Sequence, residues 1–332
     1  MSDASLQESG GWRGSVTAAR ELLGRSGIVS PLIGLLLACV VFTLLSANFL
    51  SFANFSQILQ QVMEVGTLAV GQTLIILVAG IDLANGLVMV LGTIVMARLA
   101  TEGVPVPLAI LVGVAITLLC GALEGGLVTW IRLPPFIITL GLYNIAMAVA
   151  LLYSHQSAIT NLPGGLLVLG NRFPLLGTTW SVGTLVMLAI FAVVWYALTQ
   201  TGWGRHLYAV GDNVEAARLT GINVTRVLFS AYMLAGLIYG ITSLIVLGRT
   251  AVGDPNAGAT DNLDSITAVV IGGTSLFGGR GSVVGTLIGA VFVGVLRNGL
   301  TLVGVDALYQ DIATGVLVIL AVGVDRFTRR RA

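Results

Sequence analysis

The sequence predicts an all-α integral membrane protein of about ten transmembrane helices, and three observations predict it. First, only 9% of the 332 residues are charged, where a soluble domain carries about 25%. With 56% hydrophobic residues and a mean hydropathy of +0.98, such a chain cannot cover a water-facing surface, and lipid is its natural solvent. Second, apolar runs recur at the length of roughly 20 residues that a bilayer core requires. Third, arginines gather in alternate loops, as the orientation rule for membrane proteins demands.

Taken in order, the first run is 31–50, preceded by a polar leader as long as a whole signal peptide and followed by no clear small-x-small site, so it reads as a retained anchor. Further runs follow at 57–80, 82–101, 106–130, 135–154, 179–199, 227–248, 263–279, 282–303 and 306–324. Gly80-Ile81-Asp82, Pro105/Pro107, Pro134-Pro135 and Gly278-Gly279-Arg280-Gly281 separate them. The runs at 57–80 and 263–279 are rich in glycine or polar residues, which makes them candidates for broken or re-entrant helices. Irregular backbone at membrane depth is tolerated only against protein or a water-filled cavity.

With the N-terminus inside, Arg13, Arg20, Arg25, Arg132, Arg205, Arg218, Arg226, Arg280, Arg326, Arg329, Arg330 and Arg331 fall on the inner side. Arg98, Arg172 and Arg249 fall outside, and Arg297 lies within a span. Twelve against three places both termini inside, and an even number of spans satisfies that. The resulting organisation is a cytoplasmic segment 1–30, a transmembrane domain 31–325 with a cytoplasmic loop at 200–226, and a basic tail 326–332.

Composition excludes much chemistry. All 16 basic residues are Arg; without lysine there is no Schiff base and no P-loop. Net charge is +1, which gives no case for nucleic acid. Cys39 and Cys120 sit in apolar runs as packing residues. His155 and His206 are too far apart in sequence to suggest a metal site, and no cofactor is expected. No catalytic motif such as GxSxG or HExxH occurs.

Glycine makes up 43 residues, a level that suits close helix packing in lipid. The GxxxG faces at Gly121/Gly125 and Gly281/Gly285/Gly289 read as packing within the chain rather than as a dimer face. Residues 78–97 echo 271–290 at a constant offset of 193, with Gly80/Gly273, Gly86/Gly279 and Gly92/Gly285 coinciding, which fits the internal repeats common in transporters.

Two sets of residues carry functional expectation. In the 200–226 loop, Asp212-Asn-Val-Glu215 has the capping-box pattern, Ala216, Ala217, Arg218 and Leu219 are good helix formers, and Gly221 supplies a stop. A helix over 214–220 is too short to stand alone in water, so a partner must hold it, either the membrane domain or a docked subunit. The second set is polar and intramembrane. Glu64, Asp82, Glu124, Arg297 and Asp311 are ionisable, and Gln60, Gln61, Gln72, Asn85, Asn144 and Asn298 are polar and uncharged. Such groups face a cavity or a partner, and amides suit a path for sugars. Glu64, Asp82, Asn85, Asn144 and Asn298 are the candidates for a path or gate, and the partner of Arg297 stays open.

Three stretches carry a family resemblance: Val78–Leu83, Ala209–Val227 and Ala268–Ala290, with the closing Tyr309–Asp325 also similar. They resemble the permeases of ribose-type sugar ABC importers, over nearly the whole chain from about residue 30. One departure is Leu83-Ala84-Asn85-Gly86, where the family more often has Leu-Ser-Val-Gly; it bears on the solute more than on mechanism. The resemblance implies a type II-like importer permease fold in the bacterial inner membrane. It implies a paired permease, two cytoplasmic ATP-hydrolysing subunits and an extracytoplasmic sugar-binding protein. It also implies that Glu215-Ala216-Ala217 and Gly221 form the helix that docks on the ATPase. The solute stays open among ribose, xylose, arabinose, fructose, galactose or another small polar molecule. The rival class is a secondary transporter or channel working without an ATPase.

Overall fold

A computed structural model of the chain describes residues 29–175 and 177–329. The segment 1–28 and residues 330–332, with Arg13, Arg20, Arg25, Arg330 and Arg331, lie outside the described residues. The apolar runs become α1 (Val29–Leu45), α2 (Phe52–Leu77), α3 (Asn85–Thr101), α4 (Val106–Gly126, prolonged by a π-turn over Leu127–Ile131), α5 (Pro135–Tyr153) and α6 (Val182–Gln200). Two short helices follow, α7 (Gly202–Asp212) and α8 (Val214–Leu219), and then α9 (Val224–Thr250), α10 (Asp261–Ile271), α11 (Val283–Leu302) and α12 (Ala307–Arg329).

The structure departs from two expectations and bears out a third. The run at 57–80 is not broken within: α2 is continuous, and the break falls after it, at 78–84. The run at 263–279 is broken, as expected: α10 stops at Ile271 and 272–282 is non-helical. Helix α12 runs on past 325 to Arg329. Nor is the chain purely helical. A 3-10 turn (Gly164–Gly170) leads into an antiparallel hairpin of β1 (Arg172–Leu175) and β2 (Thr178–Ser181), with Arg172 opposite Ser181. The Ser181 hydroxyl then caps α6 by accepting from the Thr184 amide at 3.2 Å.

Among the described residues, α4 with its extension, α5, α6, α9 and α11 are long and apolar enough to cross a membrane. Shorter apolar stretches lie in α1, α3 and α12. The helix α2 is enclosed rather than lipid-facing: from Val62 to Leu77 every residue is buried, so Glu64 and Gln72 cost it no contact with lipid. Around it pack α6, α9, α10 and α11, while α3, α4 and α9 share a second core. Helices α4 and α9 approach closely. A Cβ on Gly121 would strike the Tyr232 carbonyl and lie 3.1 Å from the Gly236 Cα. The Gly121 face is therefore used inside the chain, as is Gly289 of α11, which abuts the Ala268 carbonyl of α10. Outward, Leu44, Leu152, Val193 and Ile319 stand in the open. So extensive an apolar exterior suits acyl chains and not water.

Candidate functional site

The 200–226 loop is mostly helix. Thr201 caps α7 through its hydroxyl, which accepts from the Gly204 amide at 3.2 Å, and Leu207, Val210 and Gly211 turn inward. The next cap is Asn213 and not Asp212: the Asn213 carboxamide oxygen accepts from the Ala216 amide at 3.0 Å. That shift of one residue moves Glu215 off the position from which it would reach back to the cap. It pairs instead with Arg218 at 3.1 Å. Thr220 closes α8, and Gly221 supplies the left-handed turn at φ +85° that a side chain resists. Ala217 is the single buried residue of α8; Asp212, Glu215, Arg218 and Leu219 all face out.

This surface unit is fastened to the bundle. Trp203 donates to the Ser230 hydroxyl of α9 at 2.8 Å, and Tyr208 donates to the Gly281 carbonyl at 2.9 Å. Burial pushes the Tyr208 phenol up, so it is a protonated donor at neutral pH. Gly211 sits directly on the Leu77 carbonyl, with no space for a Cβ.

The break at 78–84 gathers the polar residues. Ala79 holds a left-handed φ of 61°, which turns the chain out of α2. Asp82 is wholly buried; one carboxylate oxygen accepts from the Ala84 amide at 2.7 Å and the other from the Tyr239 hydroxyl at 2.9 Å. Asn85, equally buried, donates to Gln72 at 3.0 Å and to Ser265 at 2.8 Å. The freed backbone carbonyls are taken up by side chains: Thr139 donates to Ile81 at 3.1 Å and Asn262 to Leu83 at 3.0 Å. Helices α2, α5, α9 and α10 thus meet on one non-helical stretch, the arrangement that makes irregular backbone tenable at membrane depth.

Residues 54–322 match the family described as branched-chain amino acid transport system / permease component. The chain belongs to that permease family. It is 42% identical to the fructose import permease of Rhizobium meliloti, over 94% of this chain and 89% of that one. It is 38% identical to the ribose import permease of Bacillus subtilis, over 90% and 92%. It is 30% identical to the xylose transport system permease of Escherichia coli, over 86% and 87%. No solved structure matches.

Two further features of the permease answer questions the sequence left open. Arg297 on α11 binds both Asp264 of α10, at 2.8 Å, and Asp311 of α12, at 3.1 Å. Glu64 is paired with Arg249 at the end of α9. Asn298 is buried beside Arg297. Asn144 stands apart: it is exposed on α5 and, among the described residues, bonds to the Leu140 carbonyl of its own helix at 3.1 Å. Sequence reasoning missed Tyr239, Asn262, Ser265, Arg249 and Tyr208, of which only the polar start of α10 (Asp261-Asn262-Leu263-Asp264-Ser265) gave a signal.

Proposed function

We propose that this permease is the membrane-spanning subunit of an ABC importer that moves a monosaccharide inward by alternating access, driven by a separate cytoplasmic ATPase. The observation that carries the reading is α8: a six-residue helix with a single buried residue, held at the surface against α7 and α9. A helix that short gains little by itself, and a docked ATPase gives it a role. Relatives that import fructose, ribose and xylose support the monosaccharide class.

In this reading ten spans cross the inner membrane, α10 with its flanking loops counting as one, and both termini lie in the cytoplasm. The face bearing α7 and α8 is cytoplasmic, which agrees with its Arg205, Arg218 and Arg226. Two permeases pair, lipid covers the outward apolar faces, and an extracytoplasmic sugar-binding protein delivers the solute. Closure of the ATPase moves Asp212, Glu215, Ala216, Ala217, Arg218, Leu219 and Gly221 as one piece. The response falls on the breaks, where Asp82 and Asn85 act as gate residues, with Glu64 and Asn298 further along the path. Asn144, on an exposed face, belongs to the path only where a second permease covers it.

The test is Glu215→Arg in the assembled complex. Uptake should collapse while the permease itself stays folded. Uptake at the wild-type level with the complex intact would remove α8 from the mechanism.

A further inference from the structure

The end of α2, the stretch 272–282 and α7 meet at one point. The Leu77 carbonyl, left without a partner where α2 stops, accepts from the Gly279 amide at 2.9 Å. Gly279 holds a left-handed φ of 72°, which aims its amide at that carbonyl. Gly211 of α7 packs onto the same carbonyl, and a Cβ on Gly211 would come within 2.7 Å of the Gly279 nitrogen. One turn earlier on the same face of α7, the Tyr208 hydroxyl donates to the Gly281 carbonyl at 2.9 Å. The helix α7 therefore grips this junction twice, once by backbone contact and once by a side-chain hydrogen bond.

On one side α7 leads to α8 through a single residue. Asn213 ends α7 by donating its amide to the Ala209 carbonyl at 3.1 Å, and its own carbonyl accepts from the Ala217 amide at 2.9 Å. With one shared residue and no loop, α8 cannot shift far without α7. On the other side, 272–282 continues from α10, and α10 supplies Asn262 and Ser265 to the Leu83 carbonyl and to Asn85. A continuous line of contacts runs from α8 through α7 and 272–282 into α10 and the Asp82–Asn85 break. Within it, the Tyr208 bond is a specific side-chain link between α7 and the non-helical stretch; the Gly211 contact resists compression but does not pull.

We propose that Tyr208 is a positioning residue for energy coupling, its hydroxyl making the 272–282 stretch follow α7 when α8 is moved. The inference rests on the importer reading above. Contact in a static structure is not coupling, so the test must read coupling itself. Tyr208→Phe keeps the ring and its packing and removes only the hydroxyl.

In the reconstituted complex of permease, ATPase and binding protein, solute moved per ATP hydrolysed should fall about fivefold, the worth of one hydrogen bond. Hydrogen exchange supplies a readout that a purely structural role would not move. Adding ATP should change the protection of both 214–219 and 272–282 in the wild type, and only that of 214–219 in Tyr208→Phe. An unchanged ratio of solute to ATP, or an ATP response of 272–282 that survives the substitution, overturns the inference. Should the variant not assemble, Gly211→Ala in its place forces α7 off the Leu77 carbonyl and must lower the same ratio; an unchanged ratio there counts equally against it. If the wild-type complex shows no ATP-driven uptake, the importer reading has failed instead.

Discussion

Leu219 offers the sharpest quantitative test of docking. It is 88% exposed at the end of α8, bounded by the exposed Thr220 and Gly221. The neighbouring Glu215–Arg218 pair is open to water at both partners, 76% and 56%, so within the free permease it is worth about 0–1 kcal/mol. Full burial of a leucine releases about 1.5–3 kcal/mol, and an alanine retains a small share of that. Truncation at a docked Leu219 should therefore cost about 2 kcal/mol, which is roughly a 30-fold loss of affinity. The assay is a titration of the purified ATPase subunit onto the permease in lipid nanodiscs, wild type against Leu219→Ala, with thermal unfolding of each permease alone. Affinity should drop about 30-fold with no change in the permease melting temperature. Affinity within about twofold of wild type would refute the reasoning, since no other apolar side chain of α8 stands so far out.

Three predictions concern the bundle. Arg297→Ala leaves Asp264, 2% exposed, without its counter-charge, so the protein should lose about 3–5 kcal/mol, and adding Asp264→Asn should recover part of it; a double-mutant cycle by thermal unfolding in detergent reads both. Tyr239→Phe removes the hydroxyl that binds Asp82 between α9 and the break, and interhelical hydrogen bonds in lipid suggest a cost of about 0.6–1.7 kcal/mol; an unshifted melting temperature would mean that the bond does not hold the break. Gly121→Val drives a side chain into the Tyr232 carbonyl and parts α4 from α9, so it should abolish a monodisperse peak in size-exclusion chromatography, whereas Gly141→Val, with nothing near its Cβ, should not.

How far the sequence reached depended on whether a feature is local. The long helices were legible because an apolar run of membrane length is its own signal, and their ends agree with Pro105 and Pro134 at the starts of α4 and α5. The position of α8 was legible from its alanines and Gly221, but its cap was misassigned by one residue. Asp212 and Asn213 are both good cap formers, and only the path of α7 decides between them. The helix α7 itself was hidden, because Gly202, Gly204 and Gly211 argue against helix, while close packing on the preceding turn and on Leu77 requires the last two. Asp82 and Asn85 stood out as polar residues at a glycine-rich break, yet their partners Tyr239 and Ser265 lie 157 and 180 residues away, beyond any local pattern. The partners of Arg297 lie nearer, 33 and 14 residues away, but on separate helices whose packing no local pattern gives.

The decisive measurement is uptake of radiolabelled fructose, ribose and xylose into proteoliposomes holding the permease alone or with its ATPase, binding protein and ATP. The account predicts uptake of at least one sugar with the complete set and none with the permease alone under a proton or sodium gradient. Gradient-driven uptake by the permease alone would contradict it.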